Sequence, residues 1–299
     1  MTTYPSNPTV YQKITDQVIA ALEAGALTFE MPWHQGNPRP VNIATGKPYR
    51  GVKTVALWVA QHIHGYATGT WGTYKQWNAQ GAQVRKGERS TTVVFYKDVE
   101  RPVEDDGETP SKRSFVATAS WVFNADQVAG YTAPDACPLV DKTQRLKQVE
   151  AFVAATAAHI EEKGQRACYH LTQDTIYMPP RALFTGSSTS SATESYYSTL
   201  SHELTHWTGH PARLKRELMN RFGEAAYALE ELVAELGAAF LCADLGISLT
   251  PRPDHAAYIQ GWLTALKQDQ RAIFTAASKA SAASDYLFKL QPKPLEQAA

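Results

Sequence analysis

His202, Glu203 and His206 stand in the pattern HExxH within YYSTLSHELTHWTGH. Histidines at i and i+4 share one face of a helix about a turn apart, so both rings can serve as corners of a tetrahedral zinc site. Glu203, one residue past the first histidine, reaches the same space and can take a proton from a water activated by the metal, as a general base. Such a short pattern also arises by chance in unrelated helices, but its context here argues otherwise. Ser191 followed by Glu194 forms a capping box at the start of the helix, and Gly209 is placed to end it.

Two histidines need a third protein ligand. A third histidine in the register HxxGxxH is excluded, because Ala212 stands where it would fall and His210 is out of step. The alternative is a carboxylate from the helix ALEELVAELGAAFLCADLG, whose main apolar face is Leu229, Leu232, Val233, Leu236 and Phe240. Glu231 and Glu235 share its opposite side with Ala238 and Ala239, small residues that let another helix approach. A solvated face for Glu230, Glu231 and Glu235 is the plain reading, weakened by the apolar run around Glu235, the only charge between Leu232 and Cys242. A buried carboxylate requires a strong partner, such as a metal or a metal-bound histidine. Glu231 is therefore assigned as third ligand and Glu235 as the carboxylate that orients a ligand histidine, with exchange of the two roles left open. Tyr227, Tyr258 and His210 are candidate transition-state donors, although a structural role is the stronger reading for each.

The elements that must position these residues follow from the rest of the chain. Its 299 residues, 43% hydrophobic and 19% charged, suffice for two domains with real cores. No stretch reaches the ~18 apolar residues of a membrane span, and the N-terminus lacks the pattern of a signal peptide, so a cytoplasmic location with no membrane partner is expected. The three cysteines, Cys137, Cys168 and Cys242, form no CxxC pair, which leaves His and carboxylate as metal ligands.

Charge is segregated although the net is zero. From Arg39 to Lys97 there are nine Lys or Arg against one acid, Glu88, whereas from Tyr131 onward there are 16 basic and 18 acidic residues. Between them DVERPVEDDGETP, Asp98 to Pro110, is an acidic surface loop or linker. Helices are expected over Val10 to Ala24, Val52 to His64, a short one within TWGTYKQWNAQGAQ, and about Thr143 to Lys163. STTVVFYK and SFVATASWVFNA read as paired strands, and TIYMP as another. The expected class is α+β, with a basic domain at 1–130, a linker at 131–142 and the HExxH domain at 143–299.

The run DTIYMP, YYSTLSHELTHWTGH, RFG and YALEELVAELGAAFL resembles the zincin-like metallopeptidase domain of ArdC-type plasmid antirestriction proteins, a domain also attached to some primases. PW, TGKPYRG, WGTYKQWNAQGAQVRKGERSTTVVFYK and WVFNADQV resemble the single-stranded-DNA-binding domain of the same family. The family more often reads GxN where this chain has Gly51-Val52-Lys53. The resemblance implies a conjugation-associated protein that binds single-stranded DNA and shields incoming plasmid DNA from restriction. It implies a divalent metal, zinc or another such as Mn2+, with the first Glu of an ExxxD-type pattern as third ligand. That position matches Glu231, with Glu235 in the Asp position. It also implies that TIYMP borders the cleft, where a peptide can lie against it as an added strand.

The basic segment interleaves aromatic residues with its cations, a combination suited to tracking a backbone while stacking unpaired bases. Lys47, Tyr49, Arg50, Lys53, Tyr74, Lys75, Arg85, Lys86 and Arg89 are the expected contacts, whereas Trp58 and Trp77, at helical spacing, read as core. Three functions are thus carried forward: a DNA-binding antirestriction protein; a DNA-tethered metalloprotease acting on a restriction component or another DNA-bound protein; and a DNA-binding protein whose metal is only a staple.

Overall fold

The computed structural model describes residues 9–25, 31–34, 37–100, 113–132, 142–186, 190–216, 224–248 and 255–292. The chain divides into two compact units, one of Met1–Val18 with Pro40–Thr132, the other of Ile19–Arg39 with Ala133–Ala299. The division falls within the first helix, α1 (Val10–Gly25).

In the first unit, β1 (Val41–Asn42), β2 (Thr70–Gly72), β4 (Thr91–Glu100) and β5 (Arg113–Asn124) form a sheet in the order β1-β2-β5-β4. β1 and β2 are parallel, and the other pairs antiparallel. The two β-rich runs of the sequence pair as expected, from Thr91 opposite Val122 to Glu100 opposite Arg113. The expected acidic connection between them falls mostly outside the described residues. α2 (Val52–His64) packs on β4. It ends at Gly65, whose left-handed backbone (φ 65°) returns its N–H to the last turn. α3 (Tyr74–Ala79) is fixed by a capping box, with Thr73 Oγ1 accepting from the Gln76 N–H and Gln76 Oε1 from the Thr73 N–H. β3 (Gln83–Val84) and β6 (Val128–Ala129) form a small second ladder. Tyr49, Leu57, Ala60, Trp71, Val93 and Val122 make one core, and Trp77, Ala82, Val84, Ala125 and Val128 another. Trp58, Trp71 and Trp77 are all fully buried. Each removes an area from water worth on the order of 4–6 kcal/mol.

The second unit contains α4 (Lys142–Ala155), β7 (His159–Glu162), β8 (Cys168–His170), β9 (Thr175–Met178), α5 (Ala192–Thr208), α6 (Glu224–Leu245), α7 (His255–Gln268) and α8 (Ala272–Lys289). The helix expected to reach Lys163 stops at Ala155, because Ala157 adopts a left-handed backbone (φ 54°) and the following residues pair as β7. TIYMP is a strand, β9, but a central one, with β7 parallel on one side and β8 antiparallel on the other. Both of its edges are thus occupied, so the expected addition of a peptide strand directly to TIYMP is corrected: β8 and β7 hold the edges.

α6 packs against α5, α7 and α8. Every residue from Glu230 to Cys242 is buried, so the helix has no solvated side along that stretch. α5 and α6 approach closely where Gly237 faces Thr205; a Cβ on Gly237 would collide with the Thr205 side chain. Among the described residues no helix is long and apolar enough to cross a membrane.

Candidate metal centre

α5 begins at Ser191, whose hydroxyl accepts from the Glu194 N–H while the Glu194 carboxylate accepts from the Ser191 N–H, and it closes at Gly209. The helix therefore starts and stops where the capping signals place it, and the one-turn spacing of His202 and His206 becomes real. Their rings meet at a centroid distance of 4.8 Å, with the two Nε2 atoms 3.1 Å apart. α6 adds Glu231, whose Oε1 lies 3.3 Å from His206 Nε2 and whose Oε2 lies 3.5 Å from His202 Nε2. Among the described residues, His202, His206 and Glu231 form the one group of three or more such side chains able to hold a metal ion, and all three are buried.

The donor spacing fits a metal. Ligand bonds of about 2.0–2.1 Å in tetrahedral geometry place donor atoms roughly 3.3 Å apart, a spacing that the three contacts above bracket. The chemistry of the set fits too, with two imidazoles and a carboxylate suited to a borderline divalent ion. Burial alone would lower the His206 pKa, but the Glu230 and Glu231 carboxylates push it up to about 10. Burial would raise the Glu231 carboxyl, yet the two histidines hold it far below the usual carboxylate range. The pocket thus favours positive charge at the point where the three donors converge.

Around this set lies a frame of carboxylates. His206 turns Nδ1 to Glu230 Oε1 at 3.2 Å, which leaves Nε2 facing the ligand cluster. Glu230 in turn accepts from Arg216, with Nη2 at 2.7 Å from Oε1 and Nε at 3.2 Å from both oxygens. Arg216 also donates to the Thr205 carbonyl and to Thr208 Oγ1, both at 2.6 Å, so it caps the C-terminal end of α5 while gripping α6. Glu235 faces the other histidine, with Oε2 3.9 Å from His202 Nδ1, and its Oε1 accepts from the Trp33 indole at 3.1 Å. The hydrogen-bonded carboxylate on a candidate ligand histidine is therefore Glu230, with Glu235 standing farther off. Sequence reasoning missed Glu230, Arg216 and Trp33; the first had a signal in its position beside Glu231, and the others had none.

Glu203 is buried next to this group, and its charge, after burial, is a cause of the raised Cys168 pKa. Cys168 begins β8, and α5 packs against that strand. Tyr227 and Tyr258 join hydroxyl to hydroxyl at 3.1 Å, and Tyr227 is 55% exposed. Burial, then the Tyr258 hydrogen bond and the Glu231 charge, raise the Tyr227 pKa. His210 Nδ1 accepts from the Ala212 N–H.

The expected DNA contacts divide differently. Lys47, Arg50, Lys75, Arg85, Lys86 and Arg89 are exposed. Tyr49 is corrected: it is 5% exposed, within the first core, its hydroxyl accepting from Asn42 at 2.9 Å, so its ring offers no face to a base. Lys53 lies 4.5 Å over the Phe95 ring, and burial, then Arg50, lower its pKa. Tyr74 is half exposed and accepts from Gln83. Arg85 is engaged with Glu88 at 3.0 Å and with the Asp126 carbonyl. Arg39, counted in the basic segment, belongs to the second unit and pairs with Asp244 at 2.8 Å. An exposed ring that sequence reasoning did not single out is Trp121, 60% exposed on β5 and opposite Thr92. Its signal was the strand period of two, since the neighbouring Val122 points into the core.

Residues 147–279 match the model of a zincin-like metallopeptidase, and residues 8–123 that of the N-terminal domain of anti-restriction factor ArdC. An uncharacterized protein, y4eC, of Sinorhizobium fredii is 46% identical over 297 residues, covering 96% of this chain and 94% of the relative. A DNA primase TraC of Escherichia coli is 36% identical over 312 residues, and this chain spans 28% of that protein's length. The crystal structure of the antirestriction protein ArdC from plasmid R388, metal-free, superposes with a TM-score of 0.77 at 40% identity, covering 94% of this chain and 97% of that one. Its Mn(II)-bound structure gives 0.77 at 38% identity, covering 96% and 99%. With a zincin-like domain built around His202, His206 and Glu231 and the ArdC N-terminal domain before it, the chain belongs to the ArdC antirestriction family.

Proposed function

We propose that this protein binds single-stranded DNA through its basic N-terminal domain and protects incoming conjugative plasmid DNA from host restriction in the cytoplasm, while its second domain holds a divalent metal, zinc or Mn2+, on His202, His206 and Glu231. The observation that carries this is the likeness to ArdC over nearly the whole of both chains at 40% identity, with the donor set in place. The exposed cations from Lys47 to Arg89 support strand binding, because charge so placed tracks phosphates, and Trp121 supports it because an exposed ring stacks bases of any sequence. The domain limits proposed remain 1–130 and 143–299, with 131–142 between them. Residues 19–39 are shared ground, since they pack with the second unit.

A second reading, a DNA-tethered metalloprotease, is favoured by Glu203, since a metal serving only as a staple has no use for a carboxylate beside both histidines. The bound cation would supply a Lewis acid that acidifies water and polarises a peptide carbonyl. In that chemistry Glu203 would accept a proton from water and return it to the leaving amine, Glu230 would keep the His206 ring oriented, and the Tyr227 hydroxyl is the candidate donor to the carbonyl oxygen. The edge strand β8 offers backbone groups to a peptide laid along the cleft. Replacing Glu203 by Ala separates the readings. Retained metal, strand binding and plasmid protection would show that hydrolysis is dispensable. Lost protection with metal and strand binding intact would establish the protease.

A further inference from the structure

Residues 31–34 and 37–39 are remote in sequence from the HExxH helix and lie within the stretch matched by the N-terminal ArdC domain, yet they belong to the second unit. Met31 and Trp33 are buried, and the single turn at Pro32–His34 rests on α6. Arg39 anchors the other end of the segment: it pairs with Asp244 at 2.8 Å, donates to Ser284 Oγ at 3.0 Å and lies 4.5 Å over the Phe240 ring. The Trp33 indole N–H donates to Glu235 Oε1 at 3.1 Å, and the other oxygen of the same carboxylate stands 3.9 Å from His202 Nδ1.

A buried carboxylate swings unless donors fix it, and an indole N–H fixes it without cancelling its charge. The contrast with Glu230 is informative, because there a buried guanidinium both holds and neutralises the carboxylate. We propose that Trp33 is a positioning residue of the metal centre: through Glu235 it keeps an anionic oxygen facing His202 Nδ1, so that His202 presents Nε2 to the ion. The metal site is then completed by a strap from the N-terminal part of the chain. This rests on the reading of His202, His206 and Glu231 as ligands.

The test is Mn2+ binding to the full chain, followed by the electron paramagnetic resonance signal of free Mn2+, for wild type, Trp33→Phe, Glu235→Ala, the double variant and His202→Ala. Melting of each metal-free form serves as the control for folding. Trp33→Phe is expected to weaken Mn2+ binding tenfold or more, as losses around metal-bound histidines do. It should add no more than twofold in the Glu235→Ala background, because its action runs through that carboxylate. A dissociation constant within twofold of wild type, or fold-changes that multiply, overturns the proposal. Because loss of the indole can unfold the chain, the coupling is also read on labelled wild type. Zn2+ must shift the indole N–H resonance that Glu235→Ala displaces, and an unmoved resonance also overturns the proposal. Binding that survives His202→Ala sinks the ligand reading and this inference together, whereas His202-dependent binding indifferent to Trp33 sinks this inference alone.

Discussion

In the unit formed by residues 19–39 and 133–299, the charged groups proposed to carry chemistry are buried and touch one another. In the unit formed by residues 1–18 and 40–132, the cations proposed to meet a nucleic acid are exposed, apart from half-buried Lys53, and several sit in separate turns and helices. The difference has a physical cause. A buried charge must be answered by a partner, so each group in the metal centre fixes the next, from Arg216 to Glu230 to His206. An exposed cation can be answered by water, so the fold need not fix its aim, although Arg85 is held by Glu88 and the Asp126 carbonyl. On the proposed reading, one region works by pre-set geometry and the other by summed charge and exposed ring faces.

The sharpest way to break this contrast is to remove the cation that ties the metal centre together. Arg216→Met leaves Glu230 buried without its guanidinium and strips a cap from α5, which should cost about 3–5 kcal/mol. Chemical denaturation of the metal-free chain measures it. A loss as small as that of a surface substitution would mean the centre is not built from interdependent charges. Strand binding by a variant that still folds should stay within twofold of wild type.

The same contrast explains what was legible in the sequence. The HExxH helix could be read to the residue because capping is local: Ser191, Glu194 and Gly209 sit within the helix they bound. Glu231 could be read because helical periodicity places it a fixed number of turns along one rod. Trp33 and Arg216 could not, since no local sequence pattern ties either of them to the HExxH helix or to α6. Tyr49 misled because an aromatic beside Lys47 and Arg50 looks the same in sequence whether its ring points out or, as here, into the core. β7 was hidden because three of the four residues of His159–Glu162 are polar, as suits a strand at a sheet edge and not one buried on both faces.

A smaller effect sharpens the other side of the comparison. Trp121→Ala removes a ring that is 60% exposed, so stability should change by no more than about 0.5 kcal/mol. Single-strand affinity should fall by about 1–3 kcal/mol, roughly five- to 150-fold, if the ring stacks a base. Fluorescence anisotropy with a labelled oligonucleotide reads this directly, and unchanged affinity would assign strand binding to charge alone.

The smallest expected effect tests an ion pair outside the metal centre. Asp174 meets Arg213, with Nη1 at 2.9 Å from Oδ2, and that hydrogen bond holds its carboxyl below the usual range. The Arg213 guanidinium also lies 3.9 Å over the Trp207 ring. Asp174 has a left-handed backbone (φ 49°) that Asn accepts, so Asp174→Asn removes charge with little strain. The carboxylate is 40% exposed, which limits the cost to about 0.5–1 kcal/mol. Because the folded pKa is depressed, this contribution is full above the unfolded carboxylate value near ~3.9 and disappears as pH falls through the folded value. Wild type and variant should therefore differ in melting temperature at pH 7 and converge in acid.

The most direct measurement is an anomalous diffraction map of crystals of the full chain grown with Mn2+, recorded above and below the manganese edge. The expected result is one strong peak bonded to His202 Nε2, His206 Nε2 and a Glu231 oxygen, with Glu230 on His206 Nδ1. No peak among these residues, or a peak ligated by Glu235 in place of Glu231, would contradict it.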